Sequence, residues 1–102
     1  MKINFGAPIK DIKGEPIVEN EKAVTLGSVS CQALLANYQD ETSLSGKDKV
    51  ERFTLAALCS NETEADINVE DVALLKKLIG KAYGPLVVGR AYEIIDPKVE
   101  RA

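Results

Sequence analysis

From Ala23 onward, apolar residues recur with a helical period, and the chain divides into four amphipathic runs. In residues 24–38, apolar positions fall at 26, 29 and 33 and at 24, 31, 35 and 38, a broad helical face. Thr25 is its candidate N-cap. Gly27, Ser28 and Ser30 lower the helix propensity, so this run depends on tertiary support. After a polar connection at 39–43, Ser45-Gly46-Lys47-Asp48 has the form of a capping box, with Asp in place of the favoured Glu or Gln. It opens a second helix through Cys59, with Val50, Phe53 and Ala57 on one stripe and Leu55, Leu58 and Cys59 beside it. Residues 60–66 read as an acidic surface loop. Asn68 is the next N-cap, with Glu70 and Asp71 in a first turn where the macrodipole favours acids. That helix reaches about residue 83, with Val72, Leu75, Ile79 and Ala82 directed inward. Gly84-Pro85 stops it and starts a fourth, which Asp96-Pro97 ends near residue 95.

The first 20 residues are organised differently. Lys2-Ile3-Asn4-Phe5 favours a strand, and GAPI and GEPI stand eight residues apart in GAPIKDIKGEPI. Two such copies are too few and too short for a solenoid. They read instead as the arms of one β-hairpin, turned at Asp11 and closed by Gly14, which can adopt positive φ. Pro8 and Pro16 cannot donate to a ladder, so the ribbon belongs at an edge, with Ile9, Ile17 and Val18 carrying the remaining donors. The predicted fold class is α+β, mainly α: an N-terminal β-hairpin at 1–20, a compact four-helix domain at 23–96, and a frayed tail at 97–102, all in a single domain.

Composition narrows the chemistry. The 102 residues suffice for one modest core, and 45% are hydrophobic against 28% charged, as in a folded globular chain. Aromatic residues make up 5% and Trp is absent, so the core must be built from Leu, Ile, Val and Ala. The net charge of −3 argues against binding through nucleic-acid phosphates. His is absent, which removes the commonest general acid/base and zinc ligand. Cys31 and Cys59 lie among apolar neighbours and read as reduced core thiols. No stretch suits a signal peptide or approaches the ~20 apolar residues of a membrane span, so a reducing cytosol is expected.

No motif supports catalysis. The serines have no His to activate them, G-x-S-x-G is missing, and the glycines form neither phosphate-binding pattern. Glu62, Glu64, Asp66, Glu70 and Asp71 crowd one region, but NETEADINVED has no Gly for a calcium loop, and a solvated acidic face is the simpler reading. No catalytic, cofactor-binding or metal-binding residue is assigned, and no enzymatic activity is expected.

The last helix carries Leu86, Val87, Val88, Ala91, Tyr92, Ile94 and Ile95, apolar on nearly every side, so it is either central to the core or shared with a partner. The expected contact set is Leu86, Val87, Tyr92 and Ile95, with Arg90 as a polar anchor and Ile9 and Ile17 on the hairpin edge. A helix-turn-helix reading of residues 69–95 would use Lys76, Lys77, Lys81 and Arg90. The start of the final helix lacks the polar and basic residues that a recognition helix needs.

Three stretches, DIKGEPI followed by TLGSV, LSGKDKVERFTLAAL, and VEDVALLKKLIGKAYGPLVVGRAYEII, occur in an order that resembles a group of small proteins encoded by tailed bacteriophages and prophages. The resemblance covers most of the chain, includes no catalytic motif and transfers no functional residue; the group has no assigned activity. It implies a phage-derived gene, a bacterial host cytoplasm or association with the virion, and a role in assembly or in handling phage or host proteins. The function expected is a non-enzymatic protein-interaction factor, a virion or tail assembly component or an assembly accessory protein, acting as a homo-oligomer or on a protein partner. The alternatives are a small DNA-binding regulator built on 69–95 and a small-ligand module or cryptic enzyme using the carboxylates.

Overall fold

The computed structural model describes residues 1–96; the expected frayed tail at 97–102 lies outside the described residues. The fold is α+β and mainly α. Its elements are β1 (Lys2–Asn4), β2 (Val18–Glu19), β3 (Lys22–Ala23), α1 (Leu26–Leu35), α2 (Gly46–Cys59), β4 (Glu64–Asp66), α3 (Val69–Ala82) and α4 (Pro85–Ile95). Helix α1 is central and packs against both α2 and α3, while α4 packs on α3 and reaches β1. Ile3, Phe5, Ile9, Leu26, Leu75 and Ile79 are among the fully buried side chains at the centre of one core.

The helix starts follow from local cap chemistry. Thr25 Oγ1 accepts from the Ser28 N–H and Ser28 Oγ accepts from the Thr25 N–H, closing a reciprocal box at α1. Ser45 Oγ accepts from the Asp48 N–H, and Asn68 Oδ1 accepts from the Asp71 N–H. Pro85 stands at the first turn of α4, where its missing N–H costs nothing. Helix α1 ends at Leu35, earlier than the pattern predicts, because Tyr38 folds back and its hydroxyl donates to Ala33 O at 2.6 Å.

The hairpin turn forms as expected. The Gly14 N–H donates to Asp11 O at 3.0 Å with Gly14 at φ +89°, and the Ile17 N–H donates to Ile9 O at 2.9 Å. A third segment then returns beside these arms. The Ile9 N–H donates to Val24 O and the Val24 N–H to Ile17 O, both at 2.8 Å, while Val18 pairs with Ala23 across β2 and β3. Asn20 and Glu21, at φ 51° and 66°, supply the left-handed pair that such a tight two-residue hairpin needs. The ribbon therefore does not leave the Ile9 and Ile17 donors as an open docking edge.

The N-terminal segment also completes α1. The Leu26 N–H donates to Ala7 O and the Gly27 N–H to Phe5 O, satisfying two of the donors a helix start leaves orphaned. Gly27 is required by this close approach: a Cβ there would lie 2.6 Å from Cys59 O and 3.0 Å from Phe5 O.

The acidic loop expected at 60–66 is corrected at its end. Residues Glu64–Asp66 form β4, antiparallel to β1, with Ile3 opposite Ala65. The alternation Glu64-Ala65-Asp66-Ile67 turns acids to solvent while Ala65 and Ile67 face the core. Within α3, Leu78 is buried beside Val72, Leu75 and Ile79, whereas Ala82 is exposed rather than inward.

Candidate functional site: exposed apolar faces on α2 and at the hairpin tip

The expected contact residues separate into three groups. Ile9 and Ile95 are buried inside the chain and cannot offer side-chain surface, a correction caused by the returning 22–26 segment over Ile9 and by the inward face of α4. Ile17 and Val87 are half-buried against the core. Tyr92 is also half-buried; its hydroxyl donates to Lys76 O at 2.6 Å and Lys76 Nζ stands 5.0 Å over its ring. Leu86 is exposed. Arg90 is an internal tie, with Nη2 donating to Asp11 O at 2.9 Å and Nη1 to Glu93 Oε1 at 3.2 Å.

This tie holds the hairpin turn against α4. Ile12, Pro85, Leu86, Gly89, Arg90 and Glu93 line a shallow depression of about 340 Å³ there. Ile12 is 82% exposed, an apolar side chain at the tip of an otherwise polar turn. Sequence reasoning passed over it; the signal was a branched aliphatic residue where turn chemistry favours polar ones.

A larger apolar surface lies on α2. Its buried residues are Arg52, Leu55, Ala56 and Cys59, a helical stripe. The stripe formed by Val50, Phe53 and Ala57 points the opposite way, and Val50 and Phe53 are both 63% exposed. Leu58 extends this outward face. A groove of about 780 Å³ runs beside it, with Val50, Glu51, Thr54, Ala57 and Leu58 on the α2 side and Asn68, Glu70 and Asp71 on the α3 side.

The orientation of α2 is set by a charge on its inner face. Arg52 donates through Nη1 to Glu41 Oε1 at 2.8 Å and through Nη2 to Glu41 Oε2 at 2.7 Å, a bidentate pair. Lys81 Nζ lies 2.9 Å from Asp40 Oδ2 and 3.7 Å from Glu41 Oε2, and 5.4 Å above the Tyr38 ring. The hydrogen bonds from Arg52 hold the Glu41 carboxyl down to about 2, against the opposing effect of its burial. Asp40 is lowered by its bond to Lys81, and Lys81 and Arg52 are raised by their carboxylate partners. The network latches the connection after α1 onto α2 and α3.

Burial, with smaller effects from Cys31 and Asp71, pushes the Cys59 thiol up to about 12, so it is not a nucleophile at neutral pH. Cys31 and Cys59 are both free. Among the described residues, no group of three or more His, Cys, Asp or Glu could hold a metal ion, and no helix is long and apolar enough to cross a membrane. Of the basic residues a DNA-reading pair would use, Lys76, Lys81 and Arg90 are engaged within the chain. Comparison with models of known families, with characterised proteins and with solved structures finds no match for this chain.

Proposed function

We propose that this chain is a non-enzymatic protein-interaction factor of phage or prophage origin, acting in the host cytoplasm as a virion or tail assembly component or as an accessory to assembly. The observation that carries the reading is the outward face of α2. A 14-residue helix directs an arginine into the protein and leaves Val50 and Phe53 in water. Single exposed apolar residues are ordinary, but a stripe containing a solvated aromatic beside a groove has the composition of an interface centre. Leu86 and Ile12 at the hairpin tip supply a second, smaller apolar patch. The resemblance to small phage-encoded proteins supplies the biological setting.

The reading is tested by placing a photo-crosslinking benzoyl-phenylalanine at position 53 in the full chain expressed in a bacterial host. Irradiation is expected to give adducts of discrete mass from position 53 and none from a control at exposed Lys13. No discrete adduct from position 53, together with a salt-sensitive shift of random duplex DNA by the purified chain, would replace this reading with that of a DNA-binding regulator.

A further inference from the structure

We infer that Cys31 and Cys59 are a redox pair, which a low-molecular-weight disulfide closes into one bond tying α1 to the end of α2. The two helices run antiparallel. Gly27, at the start of α1, lies against the last residue of α2, so closely that a Cβ there would stand 2.6 Å from Cys59 O. Past the other end of α1, Glu41 meets Arg52, about two turns earlier in α2. Cys31 stands four residues beyond Gly27 and so on the same face of α1, about 6 Å farther along the axis at 1.5 Å per residue. Side chains lean toward the N-terminus of their own helix. In an antiparallel pair this brings Cys31 back toward the level of Cys59 and carries Cys59 toward that of Cys31. The missing side chain at Gly27 lets the backbones meet at the short separation that a disulfide needs. The electrostatics agree: after burial, the charge of Cys31 is the next cause that raises the Cys59 thiol.

Burial divides the work between the two sulfurs. Cys59 is fully buried in the core, whereas Cys31 is half-buried and is the one that solvent reaches. The Cys31 thiolate attacks one sulfur of the oxidant, oxidised glutathione for example, to form a mixed disulfide. One glutathione leaves and takes up the proton that Cys31 lost. Cys59 then gives up its proton and attacks Cys31 Sγ. The Cys31–Cys59 bond forms, the mixed disulfide breaks, and the second glutathione leaves with that proton. Two protein thiols are oxidised and one external disulfide is reduced. Cys59 is too weakly acidic to attack a free disulfide at neutral pH. Against a sulfur held beside it the step is intramolecular, and its few thiolates are the more nucleophilic for their high proton affinity. The cross-link forms whether or not the outer face of α2 meets a partner.

Incubating the purified, fully reduced chain with oxidised glutathione tests the pair by intact mass, tryptic mapping and thermal unfolding. The wild type is expected to lose the mass of two hydrogens, with Cys31 and Cys59 recovered in one cross-linked peptide pair. Its melting temperature should rise by about 10 °C or more, because closing the loop from 31 to 59 restricts the unfolded chain. Dithiothreitol should reverse both changes. Cys59→Ser should stop at the mixed disulfide, with one glutathione on Cys31, and Cys31→Ser should take up none while folded. Circular dichroism verifies folding, and Cys59→Ala serves where the serine hydroxyl unfolds the buried site. A wild type that keeps both thiols free, or that stops at the mixed disulfide, would overturn the inference. So would a disulfide between two chains, or an internal cross-link that lowers the melting temperature.

Discussion

Replacing Arg52 by Met keeps the length of an aliphatic stem and removes the guanidinium that holds Glu41. Both side chains are largely buried, 9% and 14% exposed, so water screens their interaction only partly. Two charge-assisted hydrogen bonds, each worth roughly 1.5–3 kcal/mol, are lost. Glu41 keeps only the more distant Lys81, 3.7 Å away. Breaking a fully buried pair costs about 3–5 kcal/mol, and the residual exposure puts the expected loss here at about 2–3 kcal/mol. Urea unfolding at neutral pH measures it. For a urea slope of about 1–3 kcal/mol/M, the midpoint should fall by roughly 0.7–3 M. The double variant Arg52→Met/Glu41→Gln should lose less than the sum of the single variants by about 1–2 kcal/mol, since the second change removes a partner already lost. The pH dependence has a definite sign. Because the Glu41 carboxyl is lowered from 4.5 to about 2, its contribution is present above 4.5 and disappears as pH falls through about 2. In that window the unfolded state binds the proton first, so the wild type should weaken more steeply with acid than Arg52→Met. A midpoint unchanged by the substitution, or strictly additive single variants, would refute the assignment of this pair as the latch that orients α2.

Three further substitutions probe packing elsewhere. Gly27→Ala should destabilise by about 2 kcal/mol in thermal unfolding, because the clash with Cys59 O and Phe5 O outweighs the ~1 kcal/mol helix gain of Ala. Ser30 Oγ is buried in α1 with no hydrogen-bond partner, so Ser30→Ala should raise stability by about 1 kcal/mol, visible as a higher melting temperature. Tyr92→Phe removes the hydroxyl that donates to Lys76 O and should cost about 1 kcal/mol by urea titration, with α4 loosened from α3.

The features that could be read from sequence are those decided within a few residues. Thr25, Ser45, Asn68 and Pro85 begin helices because a cap needs only its own side chain and the next turn. The Asp11 to Gly14 turn was equally local. The pairing of β1 with β4 was not, since it joins Ile3 to Ala65 across the length of the domain and neither three-residue strand announces its partner. The inner face of α2 was hidden for a different reason. Val50, Phe53 and Ala57 have the spacing of a core stripe, and so do Leu55, Ala56 and Cys59. What decides between them is Arg52, whose partner Glu41 stands in a stretch that reads as a plain polar connection. The contact set expected on α4 and the hairpin failed at Ile9 and Ile95 because apolar character alone does not distinguish a core residue from an interface one. Leu86 is exposed, and the exposure of Ile12 and Phe53 became visible only once burial was known.

The central claim is that the outward face of α2 is apolar for a partner and not for the fold. The unfolding free energy of Phe53→Glu in dilute solution, where chains are monomeric, tests it directly. A 63%-exposed side chain with no role in the core predicts a stability within about 0.5 kcal/mol of wild type. A loss of about 3–5 kcal/mol, the cost of deleting a buried phenylalanine, would show Phe53 to be a core residue and contradict the account.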